Sequence, residues 1–486
     1  MTLSRKNAMN SNYWQEQLFA HLSDHTTLSL HDPRSRYDDA HVSGAQLVAL
    51  AEQWGSHLRS LGMAHNTAIV LPMRLDIQSV AVLLGAWQAA LFPILIKPAT
   101  PPNIVAETLE RAGGGLLVAS PAMQAAYAAR GFAVCGAAFD GCSVLLAPGA
   151  PRAHPRVEHG NILGILTSGS TGRPKVVVQT LRNVMRNARM HAASIGLDAS
   201  DTVALSLPLN FSAGLVAGLF GTLMTGAKGV LVDGQRINAR KFLDEFPVSV
   251  CMATPGAVLQ AFSPAVLSSI RALTVGGDIL HPQLALQLVQ ATAASGTVYA
   301  TYGMSEAGPR IATARVSAEM VRHYNAVPLG AALEGVTLAL NDSASNGVGE
   351  LLVTTPTAMY GYLYDAEGTR QATSGPGGAL RSGDLFRREG DDYIFVGRQK
   401  RIIVRGGENI FPAYVESTIL NLYGFDDVWV TAESHHTFGQ VPKAYLLSGA
   451  PIDLTRLARE LRAHLPLSHI PALWEVVTTL PAGARK

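Results

Sequence analysis

The sequence predicts a layered α/β protein with more than one domain. Three observations carry that expectation. The chain has 486 residues, too many for one compact core. Short apolar runs that suit buried strands alternate with segments of helical periodicity. Glycine is abundant, at 46 residues, as tight turns between such elements require.

Ser43-Gly44-Ala45-Gln46 has the spacing of a capping box. Leu47, Leu50, Ala51, Trp54, Leu58 and Leu61 follow at helical intervals, and Gly62 closes the helix. A strand over 68–71 comes next. The apolar stretch 77–96 has about the length of a membrane span. Gln78, Ser79 and Gln88 interrupt it and Pro93 splits it, so a buried helix followed by a strand over 92–96 is expected. Similar alternation runs through 115–120, 203–207, 229–233, 249–253 and 272–275. From 347 to 392 the character changes. Gly349-Glu350-Leu351-Leu352-Val353 and Tyr393-Ile394-Phe395-Val396 are short and flanked by glycine-rich turns, which predicts antiparallel β structure. Helices around 413–422 and 454–464 fall in a small C-terminal region. The expected domains are 1–397 and 398–486.

Composition excludes several function classes. With 48% apolar and 15% charged residues the chain is not disordered. A net charge of +2 gives no field to draw nucleic acid or an acidic membrane. Cys135, Cys142 and Cys251 form no CxxC pair, so neither a zinc site nor a disulfide framework is indicated. Free cysteines suit a reducing cytoplasm, and the polar stretch 1–12 lacks the apolar core of a signal peptide. The expected state is a cytoplasmic monomer or homodimer.

The chemistry begins after an apolar strand expected over 162–166. It runs into Thr167-Ser168-Gly169-Ser170-Thr171-Gly172-Arg173-Pro174-Lys175. Glycines let backbone approach a phosphate, hydroxyls and amides donate to its oxygens, and Lys175 adds charge. A Walker A loop is excluded, because Pro174 stands where Gly would precede the lysine.

This loop resembles the phosphate-binding signature of the AMP-forming acyl-CoA synthetase, or adenylate-forming, superfamily. Further motifs follow in the order of that family. Gly276-Gly277-Asp278 resembles its loop beside adenine. Tyr302-Gly303-Met304-Ser305-Glu306 is similar to its Tyr-Gly-x-Thr-Glu signature, with serine keeping the hydroxyl. Val327-Pro328-Leu329-Gly330, Glu334-Gly335-Val336, Gly349-Glu350-Leu351 and Gly361-Tyr362 fit as well. Ser382-Gly383-Asp384-Leu385 resembles the ribose-binding signature. Gly397-Arg398 and Gly406-Gly407-Glu408-Asn409-Ile410-Phe411-Pro412 resemble the hinge and the loop after it. The resemblance covers the chain from about residue 40 onward.

The resemblance implies a large N-terminal domain of layered α/β subdomains plus a β-barrel-like subdomain, followed by a small mobile α+β C-terminal domain. It implies ATP-dependent activation of a carboxylic acid to an acyl-adenylate, with Mg²⁺, and then transfer to a thiol. Thr167, Ser168, Gly169, Ser170, Thr171, Gly172 and Lys175 would hold the phosphates. Gly276, Gly277, Asp278, Tyr302, Gly303, Met304 and Ser305 would surround adenine, with Tyr302 stacked on it. Glu306 would hold Mg²⁺, Asp384 would take the ribose, and Arg398 would contact ribose or phosphate. Thr167, Lys175, Glu306 and Lys486 would carry catalysis. The last of these is the best match to the family lysine, although Leu480-Pro481-Ala482-Gly483-Ala484-Arg485-Lys486 is one residue short and has Arg485 where Gly is usual. Three other positions depart from the family: Val176 for a usual Gly, Arg401 for the hinge Asp or Lys, and Phe211 for a frequent His.

By the same resemblance Phe211, Ser212, Gly214 and Leu215 would line the acid pocket. The run 211–220 is small and apolar and holds no Asp for an amino group, which points to an aromatic or other apolar acid. The run equally fits plain helix packing. Arg405, Gly406, Gly407 and Glu408 would face CoA, since 406–412 resembles stand-alone aryl-CoA and o-succinylbenzoate-CoA ligases. No carrier domain follows Lys486 in this chain. Two alternatives stay open: loading of a separate carrier protein, and a nucleotide-binding homologue without catalysis.

Overall fold

The computed structural model describes residues 13–25, 29–33, 41–149, 151, 161–167, 175–233, 238–292, 296–341, 347–405, 408–435, 438–449, 452–481 and 484. Its architecture is mixed α/β, with two large sheets, a four-stranded antiparallel sheet and a smaller C-terminal sheet.

The local signals read from the sequence form as elements. Ser43 caps the helix Gly44–Ser60 in a true capping box. Its Oγ accepts from the Gln46 amide at 3.2 Å, and its own amide donates to Gln46 Oε1 at 2.8 Å. The 77–96 stretch divides as expected into the helix Ile77–Gln88 and the strand Phe92–Ile96. Asp76 starts that helix by accepting from the Ser79 amide at 2.8 Å. Trp87 Nε1 donates to the Ile162 carbonyl at 2.9 Å and ties the helix to a strand. Among the described residues no helix is long and apolar enough to cross a membrane.

One sheet has eight strands. Its centre is Ala68–Pro72, Phe92–Ile96 and Ile162–Thr167, with parallel neighbours, and Lys175–Thr180 then returns antiparallel. The other has nine. Its centre is the parallel set Thr202–Leu205, Val250–Ala253, Ala272–Gly276 and Thr297–Gly303, and Arg310–Arg315 is added antiparallel. Between them lies one large core. It joins Leu71, Leu95 and Leu163 from the first sheet to Val203, Leu205 and Met252 from the second, through Trp54, Trp87, Met185 and Phe220 on the helices between. Two sheets packed on shared helices leave their strand ends on a common edge. Ligands of such folds sit outside the carboxyl ends of the strands. Thr167, Gly276 and Gly303 each end a strand.

The antiparallel region predicted from 347 onward is the sheet Thr337–Asn341, Val348–Thr354, Leu380–Glu389 and Asp392–Arg398. The C-terminal sheet begins at Ile403–Arg405 and packs on the helices Pro412–Tyr423 and Leu454–Leu461 through Val415, Ile419, Val430 and Leu457. Gln283 Nε2 donates across to the Asn421 carbonyl at 2.9 Å.

Candidate active site

A cavity of about 870 Å³ opens where these elements meet. Thr167, Lys175, Phe211, Ser212, Gly277, Gly303, Met304, Ser305, Glu306, Asp384 and Arg398, all anticipated from the sequence, line it. Ser168, Gly169, Ser170, Thr171, Gly172, Gly406, Gly407 and Lys486 lie outside the described residues.

Thr167 and Lys175 face each other across the antiparallel pair that carries the phosphate-loop motif. Thr167 Oγ1 donates to the Lys175 carbonyl at 3.2 Å. The Lys175 ammonium lies 3.0 Å from Asp365 Oδ2 and 4.4 Å from the centroid of the Tyr362 ring. The Tyr362 hydroxyl in turn donates to Glu306 Oε1 at 2.6 Å. Lys175, Tyr362 and Glu306 therefore form one chain of contacts. Lys175 first, then the Gly368 amide, hold the Asp365 carboxyl below its usual value. Burial and the Glu306 carboxylate push the Tyr362 phenol up, so it is a donor and never a phenolate at neutral pH. The sequence alone assigns no role to Tyr362 or Asp365. The Gly361-Tyr362 motif was the available signal for the first. The second had none, because its partner lies far back in the chain.

Glu306 sits in the short turn Ser305–Ala307, fixed by Gln179 Nε2 donating to the Ser305 carbonyl at 2.9 Å. Ser305 Oγ and Ser212 Oγ are 2.8 Å apart, which joins this turn to the segment expected to bind the acid.

Asp384 is 14% exposed and takes the Tyr302 hydroxyl at 2.8 Å and Arg398 Nε at 3.2 Å. Burial raises its carboxyl above the ordinary range, against the pull of Arg398 and Tyr302. Burial, then Asp384, push the Tyr302 phenol well up. The Tyr302 ring meets Phe386 edge-on at 5.5 Å. Beneath, the nearly buried Glu350 accepts from Arg381 Nε at 2.8 Å and from the Gly383 amide at 3.0 Å, which sets the turn before Asp384.

Two residues expected at the acid pocket face elsewhere. Leu215 is fully buried in the main core. A Cβ at Gly214 would come within 2.4 Å of the Pro208 carbonyl, so this glycine serves close backbone packing. Both lie in a wholly buried π-helix, Ala213–Phe220, a local geometry often found at functional sites. Gly276, Asp278 and Tyr302 stand next to lining residues without being among them. Arg405 Nη1 donates to the Ser468 carbonyl at 2.7 Å, within the C-terminal region, and Glu408 begins the strand Glu408–Ile410.

The chain matches the AMP-binding enzyme family over residues 20–363. It belongs to that family. Among curated relatives, the 2-succinylbenzoate–CoA ligase of Bacillus licheniformis is 30% identical over 331 residues, 65% of this chain and 66% of the relative. The ligase of the same name from Geobacillus kaustophilus is 27% identical over 467 residues, 90% of each chain. The alignments to the first relatives thus span just under two thirds of their length. In fold, the AMP-binding chain superposes on o-succinylbenzoate CoA synthetase from Bacillus subtilis, in complex with its acyl-adenylate intermediate. The TM-score is 0.78 at 22% identity, covering 96% of this chain and 95% of that one.

Proposed function

We propose that this AMP-binding enzyme activates a carboxylic acid with ATP to an acyl-adenylate and then transfers the acyl group to CoA as a thioester. The observation that carries the reading is one cavity lined both by Asp384 with Arg398 and by Thr167, Lys175 and Glu306. A carboxylate there accepts from both hydroxyls of a ribose, while a cation and hydroxyls meet phosphate oxygens. The relatives named as CoA ligases favour CoA over a carrier protein as acceptor.

In the first half-reaction a carboxylate oxygen attacks the α-phosphorus of ATP and pyrophosphate leaves. In the second, the thiol adds to the acyl carbonyl and AMP leaves. The protein's share is positioning and charge neutralisation. Lys175 and the loop it ends hold the leaving phosphates. Asp384 and Arg398 hold the ribose, and Tyr302 packs beside adenine. Glu306 fits Mg²⁺, since one carboxylate beside substrate phosphates suits that ion and, among the described residues, only one of its oxygens is taken, by Tyr362. Bound there, the ion would neutralise phosphate charge. Lys486 supplies the cation for adenylation, and Arg405 to Glu408 face CoA.

The division between domains falls at 397/398. Arg398 is held by Asp384 on one side. Arg401 is held on the other by Glu416 Oε1 at 2.6 Å, the Val430 carbonyl at 3.0 Å and the Trp429 ring at 3.7 Å. These contacts support a pivot between the two arginines, with Arg401 as the C-terminal anchor.

Incubation with Mg-ATP and a panel of carboxylic acids tests the reading by pyrophosphate release. Aromatic acids should give release, and CoA should convert the adenylate to acyl-CoA. Adenylate formed without any acyl-CoA, but discharged onto a carrier protein, would replace CoA as acceptor.

A further inference from the structure

We propose that Arg310 selects an acid that carries a second carboxylate besides the one activated. This deepens the adenylation reading and rests on it.

Arg310 forms part of the cavity wall beside Phe211, Ser212 and Gly303. It is 3% exposed. Nη1 donates to Thr301 Oγ1 at 2.7 Å, and Nε has no hydrogen-bond partner. Among the described residues no carboxylate lies within ion-pair distance of it. A buried charge without a counter-ion is costly, and proteins ordinarily pair it. Burial lowers the guanidinium to about 10, which leaves it charged at neutral pH.

The surroundings hold this cation in place without neutralising it. Asn187 clamps its backbone, accepting from the Arg310 amide at 2.9 Å and donating to the Arg310 carbonyl at 2.8 Å. A Cβ at residue 276 would meet Thr301 Oγ1 at 2.2 Å and Arg310 Nη1 at 3.0 Å, so Gly276 leaves the guanidinium its place. His191, fully buried with neither ring nitrogen bonded, is held neutral by burial first and by Arg310 second. It offers no countercharge. Thr274 Oγ1, also without a partner, belongs to the same sheet face as Gly276. A planar fork of donors in the wall beside Phe211, Ser212 and Gly303 matches a carboxylate, which it takes in two parallel bonds. A monoacid leaves that fork unpaired in the closed site.

The test uses the full chain with Mg-ATP, pyrophosphate release, and matched acids: benzoate against 2-succinylbenzoate, and butanoate against butanedioate. In at least one pair the diacid should exceed its monoacid in kcat/KM by about 100-fold, the scale of a buried charge pair made or lost. Arg310→Met should collapse that ratio toward one, and Arg310→Lys, which keeps the charge but loses the fork, should keep only part of it. The inference is overturned by monoacids equal to diacids in both pairs, by Arg310→Met lowering both members of a pair equally, or by a rise in the KM for ATP as the sole change. Should Arg310→Met fail to fold, shown by loss of its thermal transition, the ranking of acids by the native protein decides. Release with monoacids alone overturns this inference only. Release with neither class overturns the adenylation reading, and this inference with it.

Discussion

Replacing Asp384 by Asn separates what the apo protein needs from what the nucleotide needs. The carboxylate is 14% exposed, and its two partners differ in worth. Arg398 is 62% exposed, so its screened ion pair contributes about 0–1 kcal/mol. The Tyr302 hydroxyl at 2.8 Å gives a charge-assisted bond worth about 1.5–3 kcal/mol. Neither fully offsets burial, since the Asp384 carboxyl is raised above its ordinary value. The folded protein therefore holds that proton more tightly than the unfolded chain does. The stabilisation is complete below the unfolded carboxyl value and is lost as pH rises through the raised one. At neutral pH the ionised group is a burden on the apo fold, and Asn keeps an acceptor for Tyr302 without the charge. Apo Asp384→Asn should melt at the same temperature as the native protein or higher at pH 7.5, with the advantage vanishing toward pH 4. Nucleotide binding should move the other way. Losing the charged acceptor for two ribose hydroxyls costs about 2–3 kcal/mol, roughly a 30- to 150-fold rise in the KM for ATP. Thermal shift with and without ATP across pH, together with pyrophosphate kinetics, reads both quantities. An unchanged KM refutes the ribose assignment. A large drop in apo melting temperature at pH 7.5 shows the carboxylate to be a structural partner of Tyr302.

Other substitutions probe the remaining groups. Lys175→Ala should lower kcat/KM by about 10²-fold, as loss of one charge-stabilising contact does. Its effect on stability should stay below about 1 kcal/mol, because the Lys175–Asp365 pair is partly exposed. Stopped-flow adenylation and chemical denaturation report the two separately. Arg401→Ala removes the cation bound to the 3% exposed Glu416 and should destabilise the C-terminal sheet by on the order of 3 kcal/mol. Faster hydrogen exchange in the strand Asp427–His435 would register it. Lys486→Ala should block adenylation yet spare thioester formation from supplied acyl-adenylate, and unchanged adenylation would remove Lys486 from the site.

How far the sequence reaches depends on whether a group's task is set by its neighbours in the chain or by partners far away. Ser43 and Gln46 cap a helix across one turn, and that pair is plain in the sequence. Glu306 and Asp384 reach the cavity for a related reason: each sits in a short motif whose own backbone turn aims it there. Phe211 and Ser212 line the cavity, whereas Leu215 is buried in the core and Gly214 packs against the Pro208 carbonyl. A uniformly apolar run carries no periodicity to tell its pocket side from its core side, and a π-helix shifts the faces further. The sheet order was not readable at all. Tyr362 pairs with Val177 across a long stretch of chain, and only that pairing sets its ring under Lys175. Arg401 shows the same limit from another direction. As a departure from a hinge motif it looks like a damaged pivot. With Glu416, Val430 and Trp429 around it, it is a group tied to the C-terminal sheet. Arg310 is the sharpest case. It opens the strand Arg310–Arg315 a few residues past Glu306, and nothing in that local sequence marks its task. What gives it meaning is the absence of any acid beside it among the described residues. An absent partner leaves no mark in a sequence, because it is a property of the space around the side chain. The identity of the acid is therefore to be sought in what that guanidinium lacks as well as in the small apolar residues beside it.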